Sequence, residues 1–178
     1  MATVIKTWTV QDLLVMPDDG RRHELVKGEL IEMPPVGEAY GDIAGGIVAL
    51  LHGPITRAGL GRVRVETGFI ISRDPATVLA PDVSVALGTF PSLQAFSKRP
   101  PHIVFEVVSP SDRPTAVHEK LQTYLEAGVE MVVAVWSGRR KLTVGTSDGE
   151  WLLLTSEDTL DLTTLVPDLT IPVSAIFR

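Results

Sequence analysis

Two carboxylic acids stand where the sequence predicts buried β-strands. Glu106 lies inside the apolar run 102–109, and Asp82 stands at the head of a second apolar run, 81–87. Burying a charged carboxylate is costly unless a cation or hydrogen bonds compensate for the lost water. We therefore expect neighbouring strands to bring Asp82 and Glu106 together at a metal site.

Two further polar residues, Glu24 and Lys120, are expected to converge on the same place. Glu24 lies on an early predicted hairpin. Lys120 lies on the helix that follows the Glu106 strand, four residues before Tyr124 of the apolar stripe, so it can lean toward the sheet. Carboxylate oxygens suit a hard cation such as Mg²⁺ or Mn²⁺. A nearby ammonium can position or acidify a water molecule and stabilise a phosphorus centre under attack.

Each of the four residues also has an ordinary structural interpretation when it is taken alone. Asp82 could cap a turn before a strand, and Glu106 could face solvent on an edge strand. Lys120 could be a solvated helix residue, and Glu24 a surface charge on the hairpin. It is the combination of the four that favours a metal site.

Composition predicts one soluble domain spanning residues 1–178. The chain has 178 residues, of which 44% are hydrophobic and 21% charged, enough for a sizeable core. It has no cysteine, which excludes disulfides, thiolate zinc sites and a cysteine nucleophile. The amino terminus does not resemble a signal peptide, and the longest apolar stretch, 43–51, is too short to span a bilayer. We expect a cytoplasmic protein that does not enter membranes.

The net charge and the distribution of basic residues give opposite indications about nucleic-acid binding. The net charge of −6 weighs mildly against nucleic-acid binding, which usually needs a basic surface. Basic residues nevertheless cluster along the chain. The clusters are Arg57, Arg62 and Arg64; Lys98 and Arg99; and Arg139, Arg140 and Lys141. They are either solvated loop and strand charges or part of a track for phosphates.

The order of predicted elements indicates an α/β chain with a mixed central sheet flanked by helices. Helices are predicted after Thr9, over 41–58 with a small-residue face suited to close packing, and over 115–127 with Val117, Leu121, Tyr124 and Leu125 as its apolar stripe. Strands are predicted over 23–26, 29–33, 62–72, 82–87, 103–109, 131–136, 141–146 and 151–155. A tail, 165–177, is expected to form a short strand and a helical turn.

Several segments, in this order and spacing, resemble those of one known family. The pattern is Pro81-Asp82, a spacer, and then Glu106 in an apolar strand. The matching segments are 22–30, 66–69, 80–83, 105–112 and 119–129, which together extend over most of the chain. The pattern is similar to the skeleton of the PD-(D/E)XK nuclease superfamily, and most similar to its Uma-two branch of restriction-endonuclease-like proteins.

The resemblance implies a restriction-endonuclease-like fold, hydrolysis of DNA phosphodiester bonds that depends on Mg²⁺ or Mn²⁺, and frequent homodimers. It implies that Asp82 and Glu106 are metal ligands and that Glu24 completes or flanks the metal shell. Lys120 would replace the lysine that the superfamily carries two residues after the glutamate, where this chain has Val108. All four residues are thus candidate catalytic residues.

This chain also departs from the pattern of the family. It has Tyr40 where a histidine is frequent, Ala116 where an aspartate often precedes the helix lysine, and Val133 with Trp136-Ser137 where an aromatic and Asp-Pro are frequent. Three functions therefore remain open. The chain could be an active DNA endonuclease, a catalytically inactive DNA-binding or interaction module, or a metal-dependent hydrolase of another phosphodiester.

Overall fold

The computed structural model describes residues 6–89 and 96–178 and has a mixed α/β architecture. Its strands are β1 (Arg22–Val26), β2 (Glu29–Met33), β3 (Gly61–Val65), β4 (Phe69–Arg73), β5 (Ala76–Leu79), β6 (Val83–Leu87), β7 (Ile103–Val108), β8 (Met131–Trp136), β9 (Lys141–Thr146), β10 (Trp151–Leu154), β11 (Thr159–Asp161) and β12 (Thr170–Pro172). Its helices are α1 (Val10–Leu14), α2 (Glu38–Leu51), α3 (Pro114–Glu126) and α4 (Val173–Ile176). No helix within these described ranges has the length and apolar character needed to cross a membrane.

Two sheets organise the fold. The larger has six strands in the order β10-β9-β8-β7-β6-β3, and the smaller has four in the order β2-β1-β5-β4. In the larger sheet β7 and β8 are parallel, and the other neighbouring pairs are antiparallel. Parallel strands need a crossover connection, and α3 supplies it. The mixed sheet and flanking helices therefore agree with the prediction from sequence.

The six-stranded sheet is covered on both faces. On one face, α2 and the carboxyl-terminal segment pack against alternate strand residues such as Val83, Phe105 and Val133. On the other face, α3 packs against Val104 and Val108. Because side chains alternate along a strand, Glu106 shares the face of Val104 and Val108 and points toward α3.

The sequence placed several short elements correctly. The helix predicted after Thr9 is α1, and it begins with a capping box: Thr9 Oγ1 accepts a hydrogen bond from the Asp12 N–H, and the Thr9 N–H donates one to the Asp12 carboxylate. Lys27 and Gly28 both have positive φ, which is the backbone that a two-residue hairpin turn requires. Gly128 ends the α3 region with φ of 97°. The tail forms β12 and α4, as expected.

The single strand predicted over 62–72 was wrong. The chain forms β3 and β4 instead, which belong to different sheets, and Glu66 between them has φ of 47°. The apolar periodicity continued across this break because both strands carry apolar residues that pack against a core, the half-buried Val63 of β3 and the buried Phe69 of β4. Strands β5 and β11 were not predicted from the sequence.

Helix α2 begins earlier than predicted and packs mainly through larger residues. It starts at Glu38 and continues beyond Leu51 as a π-helical segment, His52–Arg57. Its buried face consists of Ile43, Ala44, Ile47 and Leu51. The expected small-residue packing face was correct only in part: Ala44 is buried and Gly46 is half-buried, but Gly45 and Ala49 are exposed.

Two glycine substitutions test this packing. A Cβ atom at Gly45 would meet no heavy atom within 4 Å, so Gly45→Ala should stabilise the protein by about 0.5–1 kcal/mol through helix propensity. A Cβ at Gly61 would overlap the backbone carbonyl of Ala86 across the β3–β6 pair. Gly61→Ala should therefore lower the free energy of unfolding, by about 1–3 kcal/mol. Urea denaturation of both variants checks the two opposite signs, and equal effects would contradict the packing.

Candidate active site

Asp82 and Glu106 are brought together by the antiparallel pairing of β6 with β7. Val83 pairs with Phe105, and the same register extended by one residue sets Asp82 opposite Glu106. Opposed residues of an antiparallel pair have Cβ atoms about 4.5–5.5 Å apart. Strand β7 lies between β6 and β8 in the larger sheet. Glu106 is therefore not a solvent-facing residue of an edge strand.

Lys120 reaches the sheet from α3 and contacts two carboxylates. Its Nζ lies 3.1 Å from Oε2 of Glu106 and 3.1 Å from Oε1 of Glu24. Only 23% of the Lys120 side chain is exposed, so it is not an ordinary solvated helix residue. As predicted, the side chain of Lys120 leans toward the sheet.

Glu24 comes from the smaller sheet and joins it to the site. It lies on β1, where Leu25 faces the α1 core and Val26 faces the α3 core. Besides Lys120, Oε1 of Glu24 accepts a hydrogen bond from the backbone N–H of Ala80 at 2.8 Å. Glu24 is buried, so the alternative of a surface charge on the hairpin was wrong.

Tyr124 belongs to the site, although the sequence indicated only a core residue. Its hydroxyl is buried and donates a hydrogen bond to Oε1 of Glu106 at 2.9 Å. Both oxygens of Glu106 are thus held from α3, one by Tyr124 and the other by Lys120. The signal was available, because a buried tyrosine hydroxyl usually needs a polar partner.

Asp82 is held by the backbone of the neighbouring strand and is faced by α2. Its Oδ2 accepts a hydrogen bond from the N–H of Val107 at 2.6 Å. The hydroxyl of Tyr40 lies close enough to Asp82 and Arg22 to interact with both. That hydroxyl is buried but forms no hydrogen bond of regular geometry with any described residue.

The position two residues after Glu106 is filled by an apolar side chain. Val108 is buried and belongs to the core that contains Leu121 and Tyr124. Lys120 instead brings an ammonium to Glu106 from the helix. A positive charge is therefore present at the site, although Val108 occupies the strand position at which the family resemblance implies a lysine.

Burial dominates the electrostatics of the carboxylates. Desolvation raises the pKa of Glu106 to about 8, with Asp82 and Glu24 adding to the rise and Lys120 opposing it. Desolvation also raises the pKa of Asp82, while Tyr40 and the Val107 N–H oppose that shift. Three carboxylates share one ammonium, so ionisation of all of them leaves negative charge in excess.

The pKa of Lys120 is also raised, but in this case by the neighbouring carboxylates and against the effect of desolvation. Desolvation alone would lower the pKa of Lys120, but the carboxylates of Glu106, Glu24 and Asp82 outweigh it and raise the pKa above its usual range. Lys120 therefore stays protonated at neutral pH. It can donate hydrogen bonds and stabilise negative charge, but it does not accept a proton there.

The donor set fits a hard cation with few protein ligands. Asp82 and Glu106 offer adjacent carboxyl groups whose joint ionisation leaves negative charge in excess, and Mg²⁺ is commonly held by one or two carboxylates together with water. Within residues 6–89 and 96–178, no group of three or more His, Cys, Asp or Glu side chains is arranged to hold a metal ion. Participation of Glu24 as a third ligand stays a prediction, because Lys120 contacts the same Oε1 that would be offered.

A groove of about 1340 Å³ contains the site and several cationic side chains. Arg22, Arg113 and Arg140 line it together with the carboxylates and Lys120. Arg22 is paired with Glu66. Of the basic clusters considered as a phosphate track, Arg140 lines this groove and the other members do not.

Comparisons with known proteins identify the family and the fold. A family model described as "Uma2: Putative restriction endonuclease" matches residues 10–174. A solved structure titled as a "putative nuclease belonging to DUF820" from Anabaena variabilis superposes with a TM-score of 0.83 at 16% identity, covering 95% of this chain and 97% of the other. No curated protein has significant sequence similarity to the chain. The fold is therefore the expected restriction-endonuclease-like one.

The raised pKa of Glu106 predicts a pH dependence of stability in the absence of divalent cations. Folded Glu106 binds its proton more tightly than the unfolded group, whose pKa is near 4.5. The free energy of unfolding should therefore fall as pH rises from about 4.5 to about 8. Glu106→Gln should flatten this decline, by an amount on the order of a few kcal/mol across the window.

Urea denaturation at pH 5, 6.5 and 8 measures this slope. Glu119→Gln is the matched control, because Glu119 is exposed on the same helix beside Lys120, and it should keep the wild-type slope. Parallel slopes for wild type and Glu106→Gln would contradict the assignment.

Proposed function

The chain belongs to the Uma2 family, and from that premise we propose that it hydrolyses DNA phosphodiester bonds with the help of Mg²⁺ or Mn²⁺. The observation that carries the proposal is the placement of Asp82, directly before β6, across from Glu106 on β7, with the Lys120 ammonium 3.1 Å from Glu106. Family and fold support a nuclease. Dependence on a cation, and cleavage itself, belong to the proposal.

Asp82 and Glu106 would hold the cation, and Glu24 would flank it through Lys120. A bound divalent cation supplies Lewis-acid polarisation of the phosphate and lowers the pKa of a water molecule at the site. The Val107 N–H and Tyr124 fix the orientations of the two carboxylates. Such fixed orientation is what a site needs to act without reorganisation during the reaction.

Lys120 would stabilise the negative charge that develops on the phosphoryl oxygens during attack by water. Its raised pKa keeps it cationic at neutral pH, and Glu24 and Glu106 fix its position. This electrostatic role is the one that the superfamily gives to a lysine two residues after the glutamate. Here the ammonium would come from α3 instead. Lys120→Met should therefore lower turnover more than substrate affinity.

The groove supports DNA as the substrate in spite of the acidic net charge. Arg22, Arg113 and Arg140 line it, and phosphate contacts from arginine supply much of the affinity of nucleic-acid binding. Because the net charge of the protein is −6, attraction of phosphates would come from the arginines of this groove and not from the protein surface as a whole. Raising the salt concentration should therefore weaken DNA binding. Homodimer formation and a cytoplasmic location stay predictions.

A second function is a nuclease-fold module that binds DNA or a protein without cutting. The observations that favour it are the net charge of −6 and Ala116, which stands where the family often has an aspartate. On this alternative, Lys120 would serve only to neutralise buried carboxylates. Metal binding and strand cleavage separate the two functions.

Removal of either carboxylate tests the proposed function. Asp82→Ala, Asp82→Asn, Glu106→Ala and Glu106→Gln should each lower Mn²⁺-dependent cleavage of DNA by at least about 100-fold, because each removes a cation ligand. Plasmid nicking measures cleavage, calorimetry measures Mn²⁺ binding, and circular dichroism checks the fold. The exposed Glu119→Gln should cleave as wild type does.

Cleavage at the wild-type rate by both Asp82→Ala and Glu106→Ala would overturn the proposal. A wild-type protein that binds DNA but neither binds Mn²⁺ nor nicks any DNA would establish the non-catalytic module. Parallel assays with RNA and a small phosphodiester decide whether DNA is the substrate class.

A further inference from the structure

The hydroxyl of Tyr40 is a buried hydrogen-bond donor that lies beside Asp82 but forms no hydrogen bond of regular geometry among the described residues. Tyr40 lies in the first turn of α2, and its ring packs against the core beneath the larger sheet. The hydroxyl oxygen is shielded from water and has no regular hydrogen-bond partner among the described residues. Such groups are uncommon, since burial without a partner is unfavourable, and each one needs a reason.

The surroundings of this hydroxyl indicate that reason. Tyr40 lines the groove and faces the carboxylate of Asp82 and the guanidinium of Arg22. Burial, followed by the charge of Asp82, raises the pKa of Tyr40 above its usual range. The group therefore stays protonated at neutral pH. An acceptor that enters the groove beside Asp82 would meet the Tyr40 O–H close to the Arg22 guanidinium.

We propose that the Tyr40 hydroxyl is a substrate contact, which donates a hydrogen bond to a non-bridging oxygen of the phosphate bound beside Asp82. The inference rests on the proposed function and names a residue that recognises the substrate of that site. It explains why this donor is held beside Asp82 without a hydrogen bond of regular geometry, because a better placed acceptor arrives with the substrate.

The negative charge of Asp82 adds a condition to this contact. An anionic phosphate is repelled by an ionised Asp82 until a cation offsets that charge. The contribution of Tyr40 to DNA affinity should therefore be large with Mn²⁺ and small in EDTA. A hydroxyl with a purely structural role would show no such dependence on the cation.

Tyr124 provides a matched comparison within the same site. Its hydroxyl is also buried, but it donates a hydrogen bond to Glu106. Removing a satisfied hydroxyl leaves its partner unpaired and destabilises the protein, whereas removing an unsatisfied one does not. Tyr40→Phe and Tyr124→Phe delete the same atom from the same residue type, with opposite expectations for the stability of the free protein.

The experiment compares wild type, Tyr40→Phe and Tyr124→Phe in two assays. Urea denaturation without metal or DNA should give Tyr40→Phe a midpoint equal to or above that of wild type, and Tyr124→Phe a lower one. Fluorescence anisotropy with a labelled DNA duplex should show Tyr40→Phe binding about tenfold more weakly in Mn²⁺, the loss of one hydrogen bond to a charged group. In EDTA, Tyr40→Phe should bind as wild type does. The kcat/KM for cleavage should fall by a similar factor.

Two outcomes would overturn the contact while leaving the proposed function intact. One is a loss of stability in Tyr40→Phe as large as that in Tyr124→Phe, which would make the hydroxyl structural. The other is wild-type affinity and kcat/KM in a stable Tyr40→Phe variant. If the wild type neither binds nor cleaves DNA in Mn²⁺, the proposed function fails and the contact fails with it.

Discussion

Three carboxyl groups and one ammonium meet in a space from which most water is excluded, and the local structure is arranged around that imbalance of charge. Desolvation raises the pKa of Glu106 and Asp82, while the carboxylates raise the pKa of Lys120. Each group is positioned by a different element: Asp82 lies directly before β6, Glu106 lies on β7, Glu24 on β1 and Lys120 on α3. The remaining negative charge makes the site suited to a cation.

The same constraint explains how the two sheets and α3 are joined. Glu24 bonds to the backbone at Ala80 and to Lys120, and these contacts link the smaller sheet, the connection to β6 and the helix. Glu106 receives hydrogen bonds from two turns of α3, through Lys120 and Tyr124. A polar network of this kind is favourable only when its members are satisfied together. The site and the packing of the elements are therefore one problem in this fold.

The sequence predicted the strands that carry the site because their apolar runs are strong and their one charged residue is conspicuous. Glu106 and Asp82 were identifiable on that ground, and Lys120 followed from its place beside the apolar stripe of α3. Tyr124 was missed because a tyrosine within such a stripe is usually core. Tyr40 was noted only as a departure from a family pattern, since its importance depends on the approach of α2 to Asp82 in three dimensions.

The wrong predictions about the fold have a similar origin, because they too depended on contacts between distant parts of the chain. Periodicity shows which residues are buried but not which sheet they join, so β3 and β4 were merged across the positive φ of Glu66. The small residues of α2 indicated a packing face, but the neighbours that decide burial come from distant strands. The predictions about β3, β4 and the packing face of α2 were therefore wrong where they depended on long-range pairing, which local patterns do not contain.

The central claim is that a divalent cation offsets the buried carboxylates, and the most direct measurement is anomalous diffraction from crystals soaked in Mn²⁺. The account predicts one strong anomalous peak within bonding distance of both Asp82 and Glu106, with Lys120 still beside Glu106, and no peak at that position in Asp82→Asn. A wild-type crystal at saturating Mn²⁺ with no peak between these two carboxylates, or with a peak that persists in Asp82→Asn, would contradict it.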